Sequence, residues 1–252
     1  MKSSNRAKIV ALCAVFVLSV GAAIYFAASL YFNSREVAQA QEFYAGTGIA
    51  QRPRPLASGP AQPQEEDAID FDALREIFPN IVGWIQSYGT VINYPIVQGR
   101  DNHRYLYHLP DGTRHSFGSI FMDYRAAPDF SDLAIHIFGH DMPSQDKFGS
   151  LRHYSSQEYF ERHDSMFIFT PDADYLLVLI AGYHINSAFE VPPMDFADAD
   201  EFYEHLEDIT RRSIFTSSAT ANYGDRLVYL ITCTPTGHDD ERLILVGKLV
   251  EI

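Results

Sequence analysis

Cysteine is scarce in this chain: only Cys13 and Cys233 occur in 252 residues. They fall in stretches of opposite character, one apolar and N-terminal, the other at the end of a β-like run. That separation argues against a structural disulfide. Zinc sites built from clustered Cys and His are excluded on the same ground, and the ten His include no HExxH spacing. His136 and His140 are spaced to share one face of a strand, but no third ligand accompanies them. Positive charge is also short. Nineteen Lys and Arg stand against 33 Asp and Glu, a net charge of −14. This balance lacks the basic footprint of a nucleic-acid binder and the basic patch that docks on anionic lipid. No internal repeat of solenoid period is present. Apolar residues are plentiful, at 46% hydrophobic and 13% aromatic, which supports a core without disulfides.

The chain divides into three stretches. Residues 9–32 carry no charged side chain. As a helix rising about 1.5 Å per residue they reach about 36 Å, enough to span a bilayer with some tilt. Lys2, Arg6 and Lys8 precede them without an acid, which orients the N-terminus to the cytoplasm and exports the rest. A cleaved signal peptide is the alternative, with Ala38 and Ala40 as a small-residue cleavage site, though its apolar core is usually shorter. Residues 1–33 therefore read as a membrane anchor. Residues 34–66 are rich in Gln, Ala and Pro and read as a linker that cannot repay its ordering entropy. Residues 67–252 read as one folded, extracytoplasmic domain.

Within that domain Asp70 is placed to cap a short helix with Phe71, Leu74, Ile77 and Phe78 on its apolar face, ended by Pro79. Eight short apolar runs follow: 81–85, 91–97, 119–122, 133–138, 166–169, 175–185, 227–232 and 243–250. They predict strands. A helix is expected from Ser155, with Glu158 in capping-box spacing. Another is expected from Ala199 to Arg212, with Phe202, Leu206 and Ile209 inward. The fold class expected is mainly β, a closed or nearly closed barrel with helical decorations. Asp198, Asp200, Glu201 and Glu204 suit the exposed face of a helix better than a calcium loop.

Three residues attract chemical interest. Cys233 ends the strand RLVYLITC before the loop Thr234-Pro235-Thr236-Gly237. A lone cysteine is more commonly inert packing, but an unpaired thiol kept outside the cell calls for a reason. His140 ends the strand LAIHIFGH, after Gly139, and a histidine can exchange a proton with a thiol near neutral pH. It could equally be a turn histidine. Arg242 lies nine residues after Cys233, where two neighbouring strands would bring it back to the thiol. It could steady an oxyanion there, or simply pair with Asp239, Asp240 or Glu241.

Together these residues resemble the sortase family. LITCTPTGHDDERLILVGKL is similar to the sortase signature of a Leu-x-Thr-Cys strand followed by an Arg, and FGH at 138–140 stands where sortases carry their histidine. FDALREIFPNIVGWI, NYPIVQGRDNHRYLYH, GSIFMDYR, FGSLRHY and the insertion DFADADEFYEHLEDITRRS resemble class B. Ile231 departs from the Ser often found there in class B, and Cys-Thr-Pro with Gly237 looks more like pilin-polymerising and housekeeping sortases.

The resemblance implies an eight-stranded sortase barrel with an N-terminal helix and a helical insertion before the last strands. It implies catalysis by Cys233, His140 and Arg242, with Asn93, Val97, Tyr183, Ile231 and Thr232 near the substrate. The enzyme would cleave a C-terminal sorting signal after Thr and pass the acyl group to an amine on a cell-wall precursor or pilin. Its partners would be the signal-bearing surface or pilin protein, the amine acceptor and the membrane, with no nucleic acid, cofactor or metal. Two rival readings are an exported cysteine hydrolase of another kind, which usually orients its histidine with Asn or Asp, and a surface scaffold in which Cys233 is inert.

Overall fold

The computed structural model describes residues 15–28, scattered positions from 31 to 43, and residues 69–142, 146–233 and 240–252. It divides into two compact units, residues 1–46 and 47–252. In the first, residues 15–28 are helical, with Val15, Phe16, Val17 and Leu18 exposed. Among the described residues no helix is long and apolar enough to cross a membrane. Part of the predicted span, including residues 9–14, lies outside the described residues, as do most of the predicted linker and residues 234–239.

The second unit is a closed eight-stranded barrel in the order β1-β2-β3-β4-β7-β8-β6-β5. Its strands are β1 (Ile81–Gln86), β2 (Asn93–Gln98), β3 (Ile120–Met122), β4 (Ala134–His140), β5 (Ser165–Phe169), β6 (Asp174–Asn186), β7 (Leu227–Cys233) and β8 (Glu241–Glu251). Every predicted strand forms, and closure leaves no exposed sheet edge. One boundary moves. The second strand starts at Asn93 because residues 87–92 make a turn, with Ser87 N–H donating to Ile92 O at 2.8 Å and Gly89 at φ +75°. Val91 is therefore half exposed.

Helix α1 (Phe71–Ile77) is capped by Asp70, which accepts the Ala73 N–H at 3.0 Å. Its inward residues are Phe71 and Leu74, with Phe78 just beyond; Ile77, expected inside, is exposed. A 3₁₀ run, Phe148–Ser155, precedes α2 (Gln157–Arg162). Because that run still occupies Ser155, the cap is Ser156, one residue later than expected. Helix α3 (Ala199–Arg211) forms between β6 and β7, capped by Asp198.

Two strand pairs are parallel, β2 with β3 and β4 with β7. One rung crosses most of the sheet: Val97, Phe121, Phe138, Ile231, Ile244 and Tyr183 are successive partners. Ile231, Ile244 and Tyr183 pack with Phe202, Leu206 and Ile209 of α3 in one cluster. Val97 and Phe121 pack with Tyr105 in another, and Phe138 touches both. Ile96, Ile120, Ile137, Leu230 and Leu245 alternate with these residues and are fully buried. Strand periodicity turns them to the opposite face, the barrel interior. The rung is thus an outer face, roofed by α3 on one side and by the 3₁₀ turn Arg104–Leu106 on the other.

Candidate active site

Two residues beyond that rung lies the last pair of β4 and β7, His140 opposite Cys233. Each ends its strand, as the sequence suggested, and parallel pairing brings together residues 93 positions apart in the chain. Arg242 stands at the start of β8, two residues before Ile244, and pairs with Ile185 of β6. It is part-buried, and its Nη1 donates to Glu241 O at 3.1 Å. The Glu241 carboxylate itself meets His184 Nδ1 at 2.9 Å.

His140 is 1% exposed. Its Nε2 lies 2.5 Å from Leu106 O. A carbonyl only accepts, so Nε2 carries the proton in this contact. Gly118 makes room for this arrangement. It sits at φ +59°, and a Cβ there would stand 2.6 Å from Leu106 O and 2.8 Å from His140 Cδ2. Gly139 is similarly confined, by Ile120 and Phe148. Behind Gly118, the fully buried Lys147 donates from Nζ to the carbonyls of Phe117, at 2.5 Å, and Gly118. Its ammonium lies 4.1 Å from the centre of the Phe117 ring. Burial holds its pKa well below the usual lysine range, against the pull of Asp146.

His136 points elsewhere. Its Nε2 donates to Pro193 O at 2.8 Å, and its ring packs on Tyr229 and Phe138. Burial lowers its pKa. The His136–His140 spacing therefore yields two rings held by separate carbonyls rather than a chelating pair.

The remaining candidates lie on β2, β6 and β7. Thr232 is buried and its Oγ1 accepts the Leu243 N–H at 2.9 Å, tying the end of β7 to the start of β8. Ile231 and Tyr183 lie inside the α3 cluster. Tyr183 is 1% exposed and stacks beneath the Arg212 guanidinium at 4.7 Å, so it supplies packing rather than an open groove wall. Arg212 in turn grips Glu190 with both Nη atoms, at 3.0 and 2.7 Å, and Asp208 at 2.8 Å. Val97 is fully buried against Tyr105 and Phe121. Asn93 is part-buried, and its Oδ1 accepts the Trp84 indole N–H at 2.7 Å.

The sequence did not disclose the groups that hold His140. They are a main-chain carbonyl, a glycine and a buried lysine on segments 22 to 34 residues from it or just past it. Only Gly118, inside a turn-rich stretch, carried a local signal.

A sortase-domain family model matches residues 85–250. The chain belongs to the sortase family. Sortase B of Listeria monocytogenes is 30% identical over 178 residues, covering 70% of this chain and 72% of the relative. Sortase B of Staphylococcus aureus is 28% identical over 190 residues, covering 75% and 78%. Among solved structures, the S. aureus sortase B–substrate complex superposes with a TM-score of 0.69 at 28% identity, covering 72% of this chain and 85% of that one. Sortase B from Bacillus anthracis in complex with AAEK1 gives 0.69 at 32%, covering 88% and 98%. These relatives make this a class B sortase, as the sequence resemblance indicated. Membership carries the family's general activity, cysteine transpeptidation in cell-wall anchoring.

Proposed function

We propose that this sortase cleaves a C-terminal sorting signal after Thr, using Cys233 as nucleophile, His140 as acid and base, and Arg242 as oxyanion clamp. The observation that carries the reading is the pairing of His140 with Cys233 on one rung. Neighbouring strands run about 4.8 Å apart, so the backbones of the two residues are adjacent.

In this reading His140 Nδ1 takes the Cys233 thiol proton as the sulfur attacks the Thr carbonyl carbon, and the carbonyl oxygen takes up negative charge beside Arg242. The C–N bond to the next residue breaks as His140 Nδ1 gives the leaving amine a proton. A thioester remains. An amine on a cell-wall precursor or pilin then attacks the thioester carbonyl and passes a proton to His140, which returns it to the sulfur as the C–S bond breaks. One difficult amide exchange becomes two easier acyl transfers. The Nε2–H···O=C bond to Leu106 supports this assignment by fixing the tautomer. In this reading Asn93, Thr232 and Ile231 border the bound signal, and Val97 and Tyr183 act from beneath it. Residues 1–33 would anchor the enzyme with its N-terminus in the cytoplasm, 34–66 would act as a stalk, and 67–252 would be the extracytoplasmic catalytic domain.

The test is mass spectrometry of the protein mixed with peptides bearing x-Pro-x-Thr-Gly or Asn-Pro-x-Thr-Asn signals. The expected product is an adduct on Cys233 ending at the peptide's Thr, discharged by added amine and absent in Cys233→Ala. Adduct persisting in Cys233→Ala would reject the nucleophile. Hydrolysis that added amine does not divert would favour a cysteine hydrolase.

A further inference from the structure

We propose that the cavity beside the Arg104–Leu106 turn is a binding site for a diphosphate or polyphosphate anion. The cavity measures about 840 Å³, and Arg100, Arg104, Arg114, His103 and His108 line it, with Asp101 as its only acidic residue. Three arginines against one aspartate give the lining a formal charge of +2 with His neutral, in a chain whose net charge is −14.

The pairing of the arginines sets this cavity apart. Arg75, Arg125, Arg152, Arg162, Arg211 and Arg212 each lie within 4 Å of a carboxylate. Among the described residues Arg100, Arg104 and Arg114 have no such partner, a condition Arg226 shares, but these three line one cavity together. In a protein with so many acids, three guanidinium groups gathered with a single carboxylate form a positive site. Asp101 does not neutralise them by direct pairing. Its Oδ1 accepts the N–H groups of His103 and Arg104, each at 2.8 Å, and so fixes the start of the turn. Those backbone bonds lower its pKa. The turn is also held from below, where Asn80 Nδ2 donates to Tyr105 Oη at 2.9 Å and Tyr105 is buried. The Arg104 guanidinium lies over Gly112, where a Cβ would come within 3.2 Å of Nη2.

Guanidinium forks match phosphate oxygens bidentately, and a concave site concentrates their field. Three forks around a space of this size offer more donors than one carboxylate or one orthophosphate can accept. A chain of two or three phosphates presents enough oxygens, closely enough spaced, to engage them all. This site lies on residues separate from Cys233 and Arg242 and stands whether or not they carry the chemistry above.

The experiment is calorimetric titration of the full chain with inorganic pyrophosphate and tripolyphosphate, and with citrate as a polycarboxylate of comparable charge. The expected result is saturable binding of the phosphates that weakens with added salt. In Arg100→Gln/Arg114→Gln it should weaken by about tenfold for each arginine removed. Circular dichroism establishes that the variant is folded, and Arg75→Gln, outside the cavity, should bind as the parent does. No binding by the folded parent, equal binding by the double variant, or citrate binding as tightly as pyrophosphate would each overturn the proposal.

Discussion

Gly118 shows how much a site can depend on a residue with no side chain. Its carbonyl receives Lys147, its backbone approaches Leu106 O, and its missing Cβ leaves room for the His140 ring. Gly118→Ala combines a positive φ with contacts that cannot yield, so it should cost about 1–3 kcal/mol of stability. Displacing His140 by even about 1 Å should lower kcat by up to about 100-fold. Urea denaturation and peptide turnover measure the two effects separately. Unchanged kcat in folded Gly118→Ala would show that the imidazole does not rely on this packing.

Asp123, just past β3, offers a pH prediction at the same scale. Burial of its carboxylate would raise its pKa, but bonds from Arg125 and Asn102 prevail and bring it from 3.8 to about 2. A depressed carboxylate pKa means that the unfolded chain binds the proton more readily. Asp123 therefore contributes its full stability above about pH 4 and loses it as pH falls towards 2. Asp123→Asn should be less stable at neutral pH by about 1–3 kcal/mol. It should also lose part of the parent's decline between pH 4 and 2, read from denaturation midpoints across that range.

At the scale of elements, α3 roofs the face that leads to the His140–Cys233 rung. Phe202, Leu206 and Ile209 fall on one side of it at helical spacing, and all three are buried against β6, β7 and β8. Phe202→Ala should cost about 3–5 kcal/mol, measured by chemical denaturation; a loss below 1 kcal/mol would mean that the helix contributes little to the barrel.

The elements were also the most legible part of the chain. Alternating apolar runs bounded by turn residues marked all eight strands, because sheet periodicity is written locally. The cap at Asp70 was legible for the same reason. Less visible were features decided by competition between neighbours. Ser155 and Ser156 both suit a cap, and the choice falls to Ser156 because a 3₁₀ run reaches Ser155. Residues 104–118 hold few apolar residues in any period, so neither the turn under His140 nor the arginine cavity could be read from pattern. Cys233, His140 and Arg242 stood out as reactive types at strand ends, yet local pattern could not show that β4 and β7 would pair in parallel. The resemblance named these residues together, and the strand pairing itself comes from the register.

At the scale of the molecule, the barrel closes entirely within residues 81–251, and α1 packs on β1 from residue 71. Among the described residues, all the paired strands of that circuit lie within 81–251. A fragment of residues 67–252 should therefore fold on its own as a single cooperative unit. Coincident thermal transitions by near- and far-ultraviolet circular dichroism would bear this out, whereas an aggregating or non-cooperative fragment would move the boundary towards the N-terminus.

Trp84 is the chain's only tryptophan, and it lies on the seam that closes the barrel, paired with Pro95 of β2 and Phe169 of β5. It is 1% exposed, and its indole proton is held by Asn93 at the mouth of β2. The protein thus carries a single tryptophan fluorophore, shielded from solvent and hydrogen-bonded to Asn93. Its emission will report barrel opening without any label. Should a sorting peptide pull Asn93 away from the indole, the same light will record its arrival.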